Sequence, residues 1–109
     1  MIYHITTAEA WSKAQRGGLY VADSLAAEGF IHFSRREQVV GTANRFYRGQ
    51  KNLLLLCVDP GRAAAEVRYE PADGQLFPHL YGPLETEAVI RVIPLSSDEQ
   101  GHFREPPGL

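Results

Sequence analysis

The chain has 109 residues, 44% of them hydrophobic and 22% charged, with a formal net charge of −2. That length suits one domain and that apolar share suits one modest core, which excludes a disordered chain and a pair of full domains. Basic residues are scattered, the densest cluster being Arg35–Arg36, so no basic face is expected for general DNA or RNA binding, whereas a small phosphorylated ligand needs only one Arg and one helix N-terminus.

The single cysteine, Cys57, lies in the apolar run Leu53–Val58 and reads as a buried thiol. The opening Met1-Ile2-Tyr3-His4 has neither the basic start nor the long apolar stretch of a leader. The longest apolar run falls far short of the roughly 20 residues of a membrane span. A cytoplasmic location is the expectation.

In chain order, Ile2–Ile5 reads as a strand. Thr6-Thr7-Ala8-Glu9 has capping-box spacing, which predicts a helix over about 7–16 that ends at Gly17-Gly18. Leu19–Val21 reads as a short strand. Asp23 or Ser24 caps one helical turn through Leu25–Glu28, stopped by Gly29. Phe30–Ser34 has strand composition, with Phe30, His32 and Ser34 on one face and Ile31 and Phe33 on the other. Ser34-Arg35-Arg36-Glu37 repeats the capping-box spacing and predicts a helix over about 35–48 with an apolar stripe of Val39, Val40, Ala43, Phe46 and Tyr47.

Leu53–Val58 is continuously apolar, as a central strand covered on both faces is. Asp59-Pro60-Gly61 is a turn. Glu66–Glu70 alternates, with Val67 and Tyr69 opposite Glu66, Arg68 and Glu70. Residues 71–74 read as a loop. Phe77–Tyr81 is extended, with Phe77, His79 and Tyr81 on one side, and Gly82-Pro83 breaks it. Ala88–Leu95 is a last strand. The tail from about 96 is rich in Pro, Gly and Ser, and is expected to wrap the surface or fray. The outcome is a single α+β domain over 1–109: a mixed sheet of about six strands with two main helices and no strict βαβ alternation.

The candidate working surface is a pocket lined by His4, His32, Ser34, His79 and Tyr81. A histidine within an aromatic strand needs partners for its ring nitrogens, and a core histidine bonded to its neighbours competes with a functional one at His32. Ser34 serves equally as a helix cap. The segment Phe77-Pro78-His79-Leu80-Tyr81-Gly82-Pro83 combines residues that shape a backbone with residues that line a pocket. His4, His32 and His79 together have the donors for a three-nitrogen metal site, but no short ligand spacing supports one, and no metal is expected. Ser34 lacks a G-x-S-x-G setting, and Cys57 is too apolar in context for a nucleophile.

Taken together, Ile2-Tyr3-His4-Ile5, Trp11, Glu28-Gly29-Phe30-Ile31-His32-Phe33-Ser34, Gln38, Ala43-Asn44-Arg45-Phe46-Tyr47 and Phe77-Pro78-His79-Leu80-Tyr81-Gly82-Pro83-Leu84 resemble the bacterial domain-of-unknown-function family nine-five-two. The resemblance runs from Ile2 to about Phe103. Phe33 stands where Cys is as common.

The fold of that family is similar to the ADP-ribosyltransferase fold, a split sheet gripping NAD in a cleft. The resemblance implies NAD as a substrate, or a related nucleotide. His4 would meet a ribose hydroxyl, Tyr81 or Phe46 would stack on a nicotinamide-like ring, and Arg45 or the helix start at Ser34 would hold the pyrophosphate. His32 or His79 would move a proton, and Glu70 would stabilise an oxocarbenium-like centre. Glu70, His79 and Glu87 compete for the third site position of such folds. Two alternatives stand beside this reading: a non-catalytic module that binds a small ligand, and a metal-dependent enzyme using the three histidines.

Overall fold

The run Leu53–Val58 organises the architecture. In the computed structural model, which describes residues 1–109, this run is the central strand of a three-stranded sheet, and its alternate side chains feed two separate cores. The elements follow as β1 (Ile2–Thr7), α1 (Ala8–Gly17), β2 (Leu19–Tyr20), α2 (Asp23–Glu28), β3 (Ile31–His32), α3 (Val39–Phe46), β4 (Leu53–Val58), β5 (Val67–Ala72), β6 (Gln75–Leu80), β7 (Leu84–Glu85) and β8 (Val89–Leu95).

The strands form three sheets, ordered β1-β4-β8, β3-β6-β5 and β2-β7. Every strand pairing is antiparallel. The α+β class therefore stands, but six strands become eight, two helices become three, and the sheet is not mixed. β2 falls within the short strand expected at Leu19–Val21, and α2 covers the helical turn expected before Gly29; the strand without a signal is β7, which pairs with β2 over two residues, too few to show a period in sequence.

Leu56 and Val58 pack with Trp11, Tyr20, Ile31 and Phe33 on one side of β4. Leu53, Leu55 and Cys57 pack with Tyr3, Val39, Ala43 and Phe103 on the other. Leu55 and Leu56 are fully buried, each contributing roughly 1.5–3 kcal/mol by removal from water. Both faces are thus apolar because both are covered.

Both predicted helix caps move one residue on, for the same reason, and in the second case a single tight turn at Arg36–Gln38 precedes α3, which starts at Val39. Thr6 continues β1, pairing with Leu54, so Thr7 is the N-cap of α1, and its hydroxyl accepts from the Ala10 N–H at 3.0 Å. Ser34 does not cap. Its backbone exchanges two hydrogen bonds with Tyr3, at 2.7 and 2.9 Å, which holds the chain extended through Arg35. The turn at Arg36–Gln38 then starts with the Gln38 side chain accepting from the Arg35 N–H. Ladder pairing supplies two backbone bonds where a cap supplies one.

Residues 71–74 are not a loop but the end of a tight hairpin. Asp73 and Gly74 have φ of 51° and 76°, two consecutive left-handed residues as in the type I′ turn that Asp-Gly favours. The tail is pinned: Phe103 is buried, and the Asn44 side chain clamps its backbone by donating to the Phe103 carbonyl and accepting from the Phe103 N–H.

The segment Ile31–Ser34 joins the two larger sheets. Ile31, His32 and Phe33 bond to β6, while Ser34 bonds to β1. On one side of this junction the sheets diverge and leave a cleft.

Candidate functional site

The cleft encloses a cavity of about 660 Å³, within the range of pockets for drug-sized ligands. Its floor is β1 at Tyr3–Ile5 and the segment His32–Ser34. Its walls are α3 and the β5–β6 hairpin. His4, His32 and His79, distant in sequence, all line it, as do Ser34, Arg45 and Phe46. Tyr81 and Glu70 do not.

His4 sits at the point of divergence and is buried. Its Nδ1 lies 2.6 Å from the His32 carbonyl and its Nε2 lies 2.8 Å from the Tyr20 hydroxyl. A carbonyl only accepts, so Nδ1 carries the proton. Burial holds the His4 pKa at about 4, below the ordinary 6.5, against the opposing pull of the His32 carbonyl. The ring is therefore neutral at pH 7, and Nε2 accepts the Tyr20 proton. One hydroxyl proton cannot serve two acceptors, so Thr6 Oγ1, 2.9 Å from the Tyr20 oxygen, donates to it. Both ring nitrogens of His4 are thereby engaged by the protein. His4 therefore presents no free lone pair toward His32 and His79 in this arrangement.

His32 and His79 face each other across the β3–β6 pair, with ring centroids 5.4 Å apart and planes nearly perpendicular. Each has a carboxylate partner. His32 Nε2 lies 2.9 Å from Glu28, one turn back across the Gly29 corner, and His79 Nδ1 lies 2.9 Å from Glu70. Phe30 stacks on the His79 ring at 4.0 Å and 7°. Tyr81 donates to the same Glu70 oxygen, and the bonds from Tyr81 and His79 hold the Glu70 carboxyl below its ordinary range. Glu70 thus stands behind His79, where it fixes the ring orientation and leaves Nε2 without a protein hydrogen bond. Tyr81 lies beyond Glu70, its ring covered by the Arg68 guanidinium at 4.8 Å.

The wall formed by α3 carries Thr42, Arg45 and Phe46. Phe46 is 62% exposed, which removes it from the predicted apolar stripe: Val39 and Ala43 are buried, whereas Phe46 faces the mouth of the cleft. Arg45 stands over its ring at 5.1 Å. Residues 5–92 match the profile of a family described as protein of unknown function, DUF952. The chain belongs to this family.

Solved structures similar to this DUF952 chain are those of protein CC0527 from Caulobacter crescentus. A crystal structure of that protein is 36% identical, with a TM-score of 0.87 over 94% of this chain and 92% of that one. A crystal structure of its double mutant gives 0.86 at 36% identity over the same shares. Its solution NMR structure gives 0.79 at 37% identity, covering 92% of this chain and 88% of that one. No curated protein matches the chain.

Several residues of the DUF952 site escape sequence reasoning. Tyr20 and Thr6 complete the His4 network, Thr42 bonds Ser34 at 3.2 Å, and Asp73 reaches Arg45 across the mouth. Only Asp73 carried a local signal, the Asp-Gly dipeptide of a hairpin turn.

Proposed function

We propose that this DUF952 protein binds NAD or a related nucleotide in the cleft, on an ADP-ribosyltransferase-like split sheet. The observation that carries the reading is the convergence of His4, His32, Ser34, His79, Arg45 and Phe46 on one cavity of about 660 Å³ where two sheets part. The cavity pairs an exposed aromatic and a guanidinium at its mouth with hydroxyls and imidazoles deeper in, which suits a ligand of flat rings joined by phosphates. His4 contributes by holding the sheets at a fixed opening rather than by giving a hydrogen bond to a ribose.

A second reading, that the bound nucleotide is also turned over, is favoured by the Glu70–His79 pair. A carboxylate orients the ring while Nε2 stays open, the arrangement of a general base and its orienter. In a transfer from NAD, the C–N bond to nicotinamide breaks, an acceptor hydroxyl forms the new C–O bond, and its proton passes to His79 Nε2. Glu70 acts through His79 and not on the sugar.

Calorimetry with NAD, ADP-ribose and nicotinamide tests the binding reading, and release of nicotinamide from NAD tests turnover. Micromolar binding of ADP-ribose that is weakened by Arg45→Gln supports the reading. Absence of binding by all three ligands overturns it. Binding without turnover under any acceptor reduces the protein to a nucleotide-binding module.

A further inference from the structure

The mouth of the cleft is crossed by a charge pair that ligand binding must confront. Arg45 of α3 meets Asp73, the first residue of the hairpin turn, and both line the cavity. Thr42 lies one turn before Arg45 on the same helix face. Its hydroxyl is 3.2 Å from Ser34 Oγ; one of the pair donates to the other, which leaves one hydroxyl proton for the cleft. A guanidinium and a spare hydroxyl on one helical turn are donors suited to a phosphate group. In the free protein the cation is already taken by a carboxylate.

We infer that Asp73 is a displaceable gate over a phosphate subsite formed by Ser34, Thr42 and Arg45, and that the ligand enters by taking Arg45 from Asp73. The inference rests on the nucleotide reading of the cleft. The hairpin is built for such an exchange. Its strand is tied down at Leu76, whose carbonyl accepts from Gln38 Nε2 at 2.9 Å and from Arg35 Nε at 3.1 Å. Beyond Leu76, side-chain ties to the rest of the protein are the Arg45–Asp73 pair and a 3.2 Å contact between Gln38 and Gln75. Both charged side chains are more than half exposed. An exposed pair of this kind is weak, and a phosphate that accepts from Arg45 and from the spare hydroxyl together replaces a carboxylate that reaches only the guanidinium.

Asp73→Asn isolates the charge. Asn adopts the left-handed conformation at least as readily as Asp, and Asn-Gly is a preferred type I′ turn, so the hairpin is retained while the carboxylate is lost. Calorimetry on wild type, Asp73→Asn and Arg45→Gln uses inorganic pyrophosphate, ADP-ribose and uncharged nicotinamide, with thermal melts confirming folding.

The expected result is that Asp73→Asn tightens both anions by about two- to fivefold, leaves nicotinamide unchanged, and loses its advantage in 0.5 M salt through screening. Arg45→Gln weakens both anions about tenfold or more. Equal affinity of wild type and Asp73→Asn for the anions overturns the gate and leaves the nucleotide reading intact. If pyrophosphate responds as expected but ADP-ribose binds no better than pyrophosphate, the gate stands and the nucleotide reading falls. If neither anion binds either protein, both are overturned.

Discussion

Lowering the pH from 7.5 to 4.5 tests the account of His4 without any ligand. Folded, His4 is neutral down to about pH 4 because burial disfavours its charged form. Unfolded, it takes a proton near the ordinary 6.5. Between these values the unfolded chain binds one proton more than the folded one, so the stability contribution is complete above pH 6.5 and is lost as pH falls toward 4. Integrating the two titrations from pH 7.5 to 4.5 gives a loss of about 2.5 kcal/mol from this residue.

With a urea m-value of about 1.5 kcal/mol/M for a domain of this size, the unfolding midpoint drops by about 1.7 M. Carboxylates contribute their own loss at the acid end. The control is therefore His4→Gln, whose amide can donate and accept but does not titrate; its midpoint lies lower at pH 7.5 but falls by correspondingly less with acid. The wild-type and variant curves should converge toward pH 4.5. Parallel curves across this range would show that His4 is charged in the folded protein or exposed to water, and the assignment of its two hydrogen bonds would fail.

Three further outcomes follow from the packing. Asn44→Ala removes both hydrogen bonds to the Phe103 backbone, which should cost about 1–3 kcal/mol and raise amide exchange across the tail, measured by denaturation and hydrogen exchange. Gly82→Ala places a Cβ 2.7 Å from the Ala65 Cβ and should destabilise by about 1–3 kcal/mol through overpacking; Ala65→Gly in the same chain should restore most of that, a rescue that a purely conformational effect at Gly82 would not show. Phe46→Ala should leave stability within about 0.5 kcal/mol, since the ring is mostly in solvent, and should weaken ADP-ribose by about 1–3 kcal/mol if the ring stacks on a base; loss of stability with unchanged affinity would return Phe46 to the core.

Local chemistry settled a good part of the molecule. The apolar run Leu53–Val58 announced a strand buried on both faces, because only such a strand has no polar side to show. Gly18 and Gly29 ended their helices in left-handed conformations, and alternation placed Ile31 and Phe33 in the core with Leu56. Those signals act over a few residues and survive without knowledge of the rest of the chain. The three imidazoles were candidates for a shared site on residue type and context, and they do line one cavity.

What those residues do was decided by partners far along the chain. Ser34 has the spacing of a helix cap, yet two backbone bonds from Tyr3, 31 positions earlier, keep it in the sheet. His4 looked free to act, but Tyr20 and the His32 carbonyl occupy both its nitrogens. Glu70 looked like a residue of the cleft, but Tyr81 and His79 turn it behind the wall. Phe46 had the spacing of a core residue, and only the sheet's divergence left it uncovered. A side chain's type and period are properties of the chain itself. Which lone pair or ring face remains available depends on what else folds against it, and that is set only when the two sheets meet at Ser34 and part beyond it.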